Sequence, residues 1–290
     1  MTNSSYLRLL TDYAEKALLY EATLSPKPGL VDPLSAGAHH DMDIFTFINS
    51  TVSLRPFFQQ YVEAGFTHKG TPIDLFDTLR KIGKQAEKAM LQATNGVNTH
   101  KGANFSFAVI LGATGWYLQT KDSASLSWTK EDSQQVLCYT RQLTKHLLLE
   151  DFTNLETKQT LSYGEKLYID YGITGIRGEA AAGYPNLANI LLPFLRNSVT
   201  LSVQERLLRA LLFLMSEIED GNLLHRGGVN AWEKIKVESQ KIHQASLTKE
   251  ELLDELHSYD LILTQRHLSP GGAADLLALG IYFAQLEDII

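Results

Sequence analysis

The sequence predicts an all-α protein built as one large helical domain, and three observations carry that prediction. Apolar residues recur at helical spacing over most of the 290 residues. Alternating runs of β-branched residues, the mark of half-buried strands, are rare. The apolar stretches also begin at residues suited to opening a helix.

The elements follow in order. The N-terminal segment carries a stripe of Tyr13, Ala14, Ala17, Leu18 and Ala22. Acids occur early in it, so it is not expected to act as a secretory signal. Thr71 or Asp74 opens a second amphipathic run through Leu75, Leu79 and Ile82. Phe105 to Leu118 is the longest apolar stretch. It is shorter than the roughly 20 residues that span a bilayer, so it reads as a buried core helix. Residues 120–127 read as a loop. The lone cysteine, Cys138, is expected to be a buried structural thiol. Ser202 precedes a long run through Val203, Leu207, Leu208, Leu211, Leu212 and Met215. Leu252, Leu256, Leu261 and Leu263 continue the pattern. Ser269 followed by Pro270 places a capping hydroxyl before a proline suited to a first helical turn. His146, His243 and His257 fall in charged helical text and read as surface residues. No linker is long enough to demand a second domain, so residues 1–290 are expected to form one.

Composition excludes some functions. Lys plus Arg is 26 and Asp plus Glu is 33, a net charge of -7. A non-specific nucleic-acid binder needs an extended basic field, so no nucleic-acid partner is expected. No membrane partner is expected either. One cysteine cannot form an internal disulfide, which suits a reducing compartment, and a cytoplasmic location follows by elimination.

Six segments interrupt the helical text: SPKPGLVD (25–32), GAHHDMD (37–43), GVNTHKGANFS (96–106), GITGIRGEAAAGYPN (172–186), EDGNLLHRGG (219–228) and LSPGGAADLL (268–277). Most combine glycine, a cation or polar side chain, and a carboxylate. Each can be read as a connector, a cap or a tight packing contact. Together they are richer than turns require. Glycine lets backbone N–H groups approach an anion, and a helix start adds dipole and donors. Lys27, Lys101, Arg177 and Arg226 supply cations, the last three beside Gly102, Gly178 and Gly227. Gly271 and Gly272 lie in the last segment. No GxxxxGK[ST] occurs, so this is no P-loop protein. Asp41 and Asp43 are the sharpest metal candidates, as hard oxygen ligands for Mg²⁺ shared with substrate phosphates. Two acids at a helix start are also an ordinary dipole preference. Glu179, Glu219, Asp220 and Asp275 are further carboxylates at such junctions.

The six segments, in this order over nearly the whole chain, resemble the triphosphoribosyl-dephospho-CoA synthase family, which makes the prosthetic-group precursor of the citrate lyase acyl carrier. A related enzyme serves malonate decarboxylase. Pro33 and His40 depart from the family's usual pattern, and His40 stands where arginine is common. The resemblance implies that ATP reacts at C1 of its ribose with the 2′-hydroxyl of 3′-dephospho-CoA, releasing adenine. The small-molecule partners are then ATP and 3′-dephospho-CoA, and a homodimer is left open. An oxocarbenium-like ribosyl carbon calls for a nearby carboxylate, and Glu179 in the richest loop is nominated. His100 or His225 is nominated as donor to the departing adenine. Lys27, Lys101 and Arg177 are assigned to the triphosphate, and Asp41 and Asp43 to its metal.

Two rival readings stand beside this one. His40-Asp41 is an HD dyad, as in helical metal phosphohydrolases, but no histidine precedes His39 to act as the upstream ligand. Metal-dependent ADP-ribosyl hydrolases, a variant of this first rival, are helical and rich in Asp, and use water where the synthase uses a ribose hydroxyl. A non-enzymatic interaction protein would not need the six charged, glycine-bearing segments. The synthase reading makes a geometric demand: Asp41, Lys101, Arg177, Glu179 and Arg226 should line one pocket.

Overall fold

The computed structural model describes residues 3–121 and 127–290. The predicted loop over 120–127 therefore lies mostly outside the described residues. Among those described there are thirteen α-helices and no strand. They are α1 (Asn3–Thr23), α2 (Ile44–Thr67), α3 (Pro72–Ala93), α4 (Lys101–Tyr117), α5 (Lys130–Leu143), α6 (Leu147–Phe152), α7 (Tyr163–Tyr171), α8 (Gly175–Ala182), α9 (Leu192–Asn197), α10 (Val203–Glu217), α11 (Gly221–Gln244), α12 (Lys249–Gln265) and α13 (Gly271–Leu286).

Local chemistry sets several boundaries. Thr71 caps α3 and Asp74 closes a reciprocal capping box, with Pro72 at the first helical position. Thr129 with Asp132, and Thr248 with Glu251, do the same for α5 and α12. Helix α11 is broken at Gly228, whose φ of 72° is left-handed. His225 and Arg226 therefore sit on a short leading segment rather than on the long helix behind it.

Two helices, α4 and α13, are apolar nearly all round and form the centre. Helix α2 packs on α4, α1 and α3, while α13 packs on α1, α4 and α10. One cluster of buried side chains, from Leu10 to Leu286, runs through them. The α2–α4 contact is backbone on backbone. A Cβ at Gly65 would stand 2.0 Å from the Gly112 carbonyl oxygen, and one at Gly115 would stand 2.1 Å from that of Val62. Gly65→Ala is therefore expected to destabilise the fold by about 1–3 kcal/mol or more, the usual penalty for overpacking. A denaturant titration measures this, and an unchanged midpoint would contradict so tight a contact.

Four expectations need correction. Cys138 is exposed rather than buried, because the buried face of α5 runs through Val136, Leu137, Thr140 and Leu143. Leu261 is 60% exposed, and Tyr259 takes its place between Leu256 and Leu263 on the inner face of α12. His243 is stacked on Phe213 with its Nδ1 buried, so it belongs to the helix packing. Ser269 does not cap α13: Pro270 holds the N-cap position with no side-chain bond, and the Ser269 hydroxyl meets His39 Nε2 at 3.1 Å.

Candidate active site

A cavity of about 830 Å³ opens where four helices begin. Its wall includes Lys101 and Gly102 of α4, Gly175 and Ile176 of α8, Gly221 and Asn222 of α11, and Gly271 and Gly272 of α13. Each start brings backbone N–H groups and the positive end of a helix dipole, which favour negative charge beside them. Asp41, Lys101, Arg177, Glu179 and Arg226 all line it, as do Lys27, His100, Gly178 and His225. Asp43 does not lie on this wall. Its carboxylate caps α2, accepting from the Thr46 N–H at 2.8 Å and the Thr46 hydroxyl at 2.7 Å.

The floor is acidic. Glu21 on α1 and Lys27 form a buried ion pair, with Nζ 2.5 Å from Glu21 Oε1 and 2.7 Å from the Glu21 carbonyl oxygen. The Lys27 charge is thus committed to Glu21 rather than free for a phosphate. Asp220 is 1% exposed and ties two helix starts together. It accepts from Asn222 N at 2.8 Å and Leu223 N at 3.1 Å in α11, and from Ala273 N at 2.8 Å in α13. Burial pushes its carboxyl up to about 6 against the pull of those N–H groups. Asp275, one turn into α13, reaches the start of α4 and accepts from the Ala103 N–H.

These contacts reassign the glycines. A Cβ at Gly102 would lie 2.1 Å from Asp275 Oδ2, one at Gly271 2.4 Å from the Asn222 amide nitrogen, and one at Gly272 3.0 Å from Asp220. A Cβ at Gly178 would meet the Thr174 hydroxyl at 1.9 Å. The space that these glycines leave is filled by the protein's own polar side chains, two of them carboxylates, which gives each glycine a packing role.

One end of the cavity is cationic. Asp151 bridges two arginines, taking Arg80 at 2.7 Å on Oδ1 and Arg177 at 2.6 Å on Oδ2. Lys84 also lines this region, and Lys101 pairs with Glu87 at 2.6 Å. Here α8 begins at Thr174 with no side-chain cap bond, which leaves its N-terminal donors open to an anion. Arg226, on a different part of the wall, is a strut. Its guanidinium donates to the Ala38 carbonyl at 3.1 Å and to His39 Nδ1 at 3.2 Å, joining α11 to the segment before α2.

Two groups face the cavity in unusual states. Burial pushes the Glu179 carboxyl up to about 7, although Asn186 donates to it at 2.6 Å through its amide. His100 is 2% exposed, and burial together with the nearby Lys27 charge lowers it to about 3. Thr99 donates to Ser50 Oγ at 2.7 Å, and Ser50 Oγ lies 2.7 Å from His100 Nδ1. Ser50 donating its own proton to Nδ1 would put the ring proton on Nε2. Nε2 is buried without a protein partner among the described residues. Held neutral in this way, His100 does not serve as a cationic acid. His225 is exposed, and burial of its ring lowers it as well, followed by the Arg226 charge.

No group of three or more His, Cys, Asp or Glu side chains is arranged to hold a metal among the described residues. Asp41 is 64% exposed in its side chain and Asp43 is bound to its helix, so this pair does not fit a protein-held Mg²⁺. Sequence reasoning missed Glu21, Arg80, Lys84 and Asp151. Glu21 carried a signal, since it continues the Ala14, Ala17, Leu18 stripe with a charge. Arg80 and Lys84 stand four residues apart on α3, a spacing that any solvated helix face also has.

No helix among the described residues is long and apolar enough to cross a membrane. A family model described as ATP:dephospho-CoA triphosphoribosyl transferase matches residues 7–290. A Streptococcus equi subsp. zooepidemicus protein named probable 2-(5''-triphosphoribosyl)-3'-dephosphocoenzyme-A synthase is 51% identical over 280 residues, 95% of each chain. Proteins of the same name from Streptococcus mutans and Streptococcus pyogenes are 47% identical over 296 and 289 residues, covering 100% and 98% of each chain. No solved structure matches.

Proposed function

The chain belongs to the ATP:dephospho-CoA triphosphoribosyl transferase family, and from that premise we propose how its cavity performs the transfer. ATP and dephospho-CoA are joined into 2′-(5″-triphosphoribosyl)-3′-dephospho-CoA, precursor of the citrate lyase acyl-carrier prosthetic group, and adenine leaves. The observation that carries this reading is the family match over residues 7–290, which takes in every segment around the cavity.

The triphosphate lies at the cationic end, against Arg80, Lys84, Lys101, Arg177 and the open start of α8. Fixed charge there holds the nucleotide in one orientation before reaction and supplies electrostatic stabilisation without reorganisation. The ribose then extends toward Glu179. As C1 loses its bond to adenine it gains oxocarbenium character, and Glu179 takes the proton of the attacking 2′-hydroxyl. His100 offers a neutral Nε2–H to an acceptor on the sugar or base. Arg226 keeps the segment 37–43 in position through Ala38 and His39. Magnesium, expected with any triphosphate, is assigned to the nucleotide's own oxygens and water, and no step here depends on it. Every group named comes from one chain, so the reading requires no homodimer. The use of ATP fits a cytoplasmic setting.

Arg177→Ala is expected to raise the KM for ATP by about tenfold to a hundredfold, the range for losing a hydrogen bond to a charged group. The dephospho-CoA KM should change little. An equal rise in both constants would move the triphosphate away from Arg177. The reaction itself is tested with ATP labelled in its base. Free labelled adenine should appear only when dephospho-CoA is present, in step with ATP consumed. Release of ADP or pyrophosphate without adenine would overturn the reading.

A further inference from the structure

Adenine is a poor leaving group as an anion, so a ring nitrogen must gain a proton as the glycosidic bond breaks. A base that receives the hydroxyl proton cannot also supply this one at the same moment. A second group is required, and it must carry its proton at neutral pH.

The cavity carboxyls differ in what holds them. Glu21 is committed to Lys27, and Asp220 to backbone N–H groups of α11 and α13. Asp41 is exposed at the rim. Asp275 is different. It projects from α13 across the first turn of α4, where only glycine at position 102 leaves room for its Oδ2, and it is steadied by the Ala103 N–H. It shares this turn with His100, which immediately precedes α4. Asp275 and Glu179 both line the cavity. The charges around Asp275 are Glu21 from α1 and Asp220 before α11, with Lys27, His100 and Lys101 also on the wall. Burial first, then the Glu21 and Asp220 carboxylates, hold Asp275 well above the usual carboxylate range.

Resting on the transferase reading above, we propose that Asp275 is the acid that protonates the departing adenine, acting opposite Glu179 as base. The C1–N9 bond breaks with its electron pair going to the purine, and a purine nitrogen takes the Asp275 proton. The 2′-oxygen of dephospho-CoA bonds to C1 and loses its proton to Glu179. One proton is taken up and one given out, so the step is balanced, and solvent exchange resets both carboxyls.

The test compares ATP with 7-methyl-ATP, whose base is already cationic and departs neutral without a proton. Asp275→Asn keeps the side chain's size and an acceptor for the Ala103 N–H. It should lose about a hundredfold to ten-thousandfold of turnover on ATP, the usual span for general acid catalysis, and keep most of its turnover on 7-methyl-ATP. Equal losses on both nucleotides would overturn the proposal and make Asp275 a structural residue. A second measurement uses the unaltered protein. Turnover on ATP should fall at high pH as the acid loses its proton, and this fall should be absent with 7-methyl-ATP. The same fall with both nucleotides would also overturn it. Adenine release by the unaltered protein is the separate control: its absence would remove the transferase reading itself.

Discussion

Glu179→Gln should lower turnover by about a hundredfold to ten-thousandfold, the range for removing a positioned general base, while ATP still binds. The substitution keeps the length of the side chain and an oxygen for the Asn186 amide, which lies 2.6 Å from Oε1. What it removes is the ability to take a proton. Burial pushes Glu179 up to about 7, and the hydrogen bonds from Asn186 oppose that rise. A base must be ionised to act, so turnover of the unaltered protein should climb as pH passes through about 7. That ascending limb should vanish in Glu179→Gln. Steady-state turnover across pH, with ATP binding followed by thermal shift, separates the two effects. Near-normal turnover would remove Glu179 from the reaction.

The largest stability effect is expected at Glu21. Glu21 is 3% exposed and Lys27 1%, and the two charges face each other at 2.5 Å. Glu21→Ala strands the Lys27 ammonium in the cavity floor. Breaking one partner of a buried pair costs about 3–5 kcal/mol, whereas replacing both by apolar residues is often neutral or better. The double variant Glu21→Met with Lys27→Met should therefore recover much of what the single variant loses. Chemical denaturation of the three proteins measures this. A single variant as stable as the parent would mean that water reaches Lys27 and that the pair is not isolated.

The helical architecture was legible because its boundaries are written locally. Thr71, Pro72 and Asp74 announce α3 within four consecutive residues, and the apolar run from Phe105 needs no partner to be recognised as core. Phase was harder to read. Leu261 and Cys138 look apolar in sequence, yet each falls outside its helix's inner face, where Tyr259 and Val136 stand instead.

The glycine-bearing segments marked the cavity wall for a reason other than the one expected. Gly102 and Gly272 leave room for Asp275 and Asp220, so the signal reported carboxylates packed at helix starts. Arg80, Lys84 and Asp151 come from α3 and α6, outside the six glycine-bearing segments. Their convergence with Arg177 depends on how distant helices pack, which no local pattern encodes. Asp43 shows the opposite failure. Its place beside Asp41 suggested a metal, but three residues on, Thr46 completes a capping box that uses the carboxylate.

The central claim is that a ribosyl group, with its three phosphates intact, passes from adenine to dephospho-CoA. Mass analysis of the reaction with ATP carrying heavy carbon in its ribose tests it most directly. The account predicts unlabelled adenine and a single labelled product equal in mass to both substrates joined minus adenine. Heavy ribose recovered in ADP, in AMP or as free ribose triphosphate, with dephospho-CoA unchanged, would contradict it.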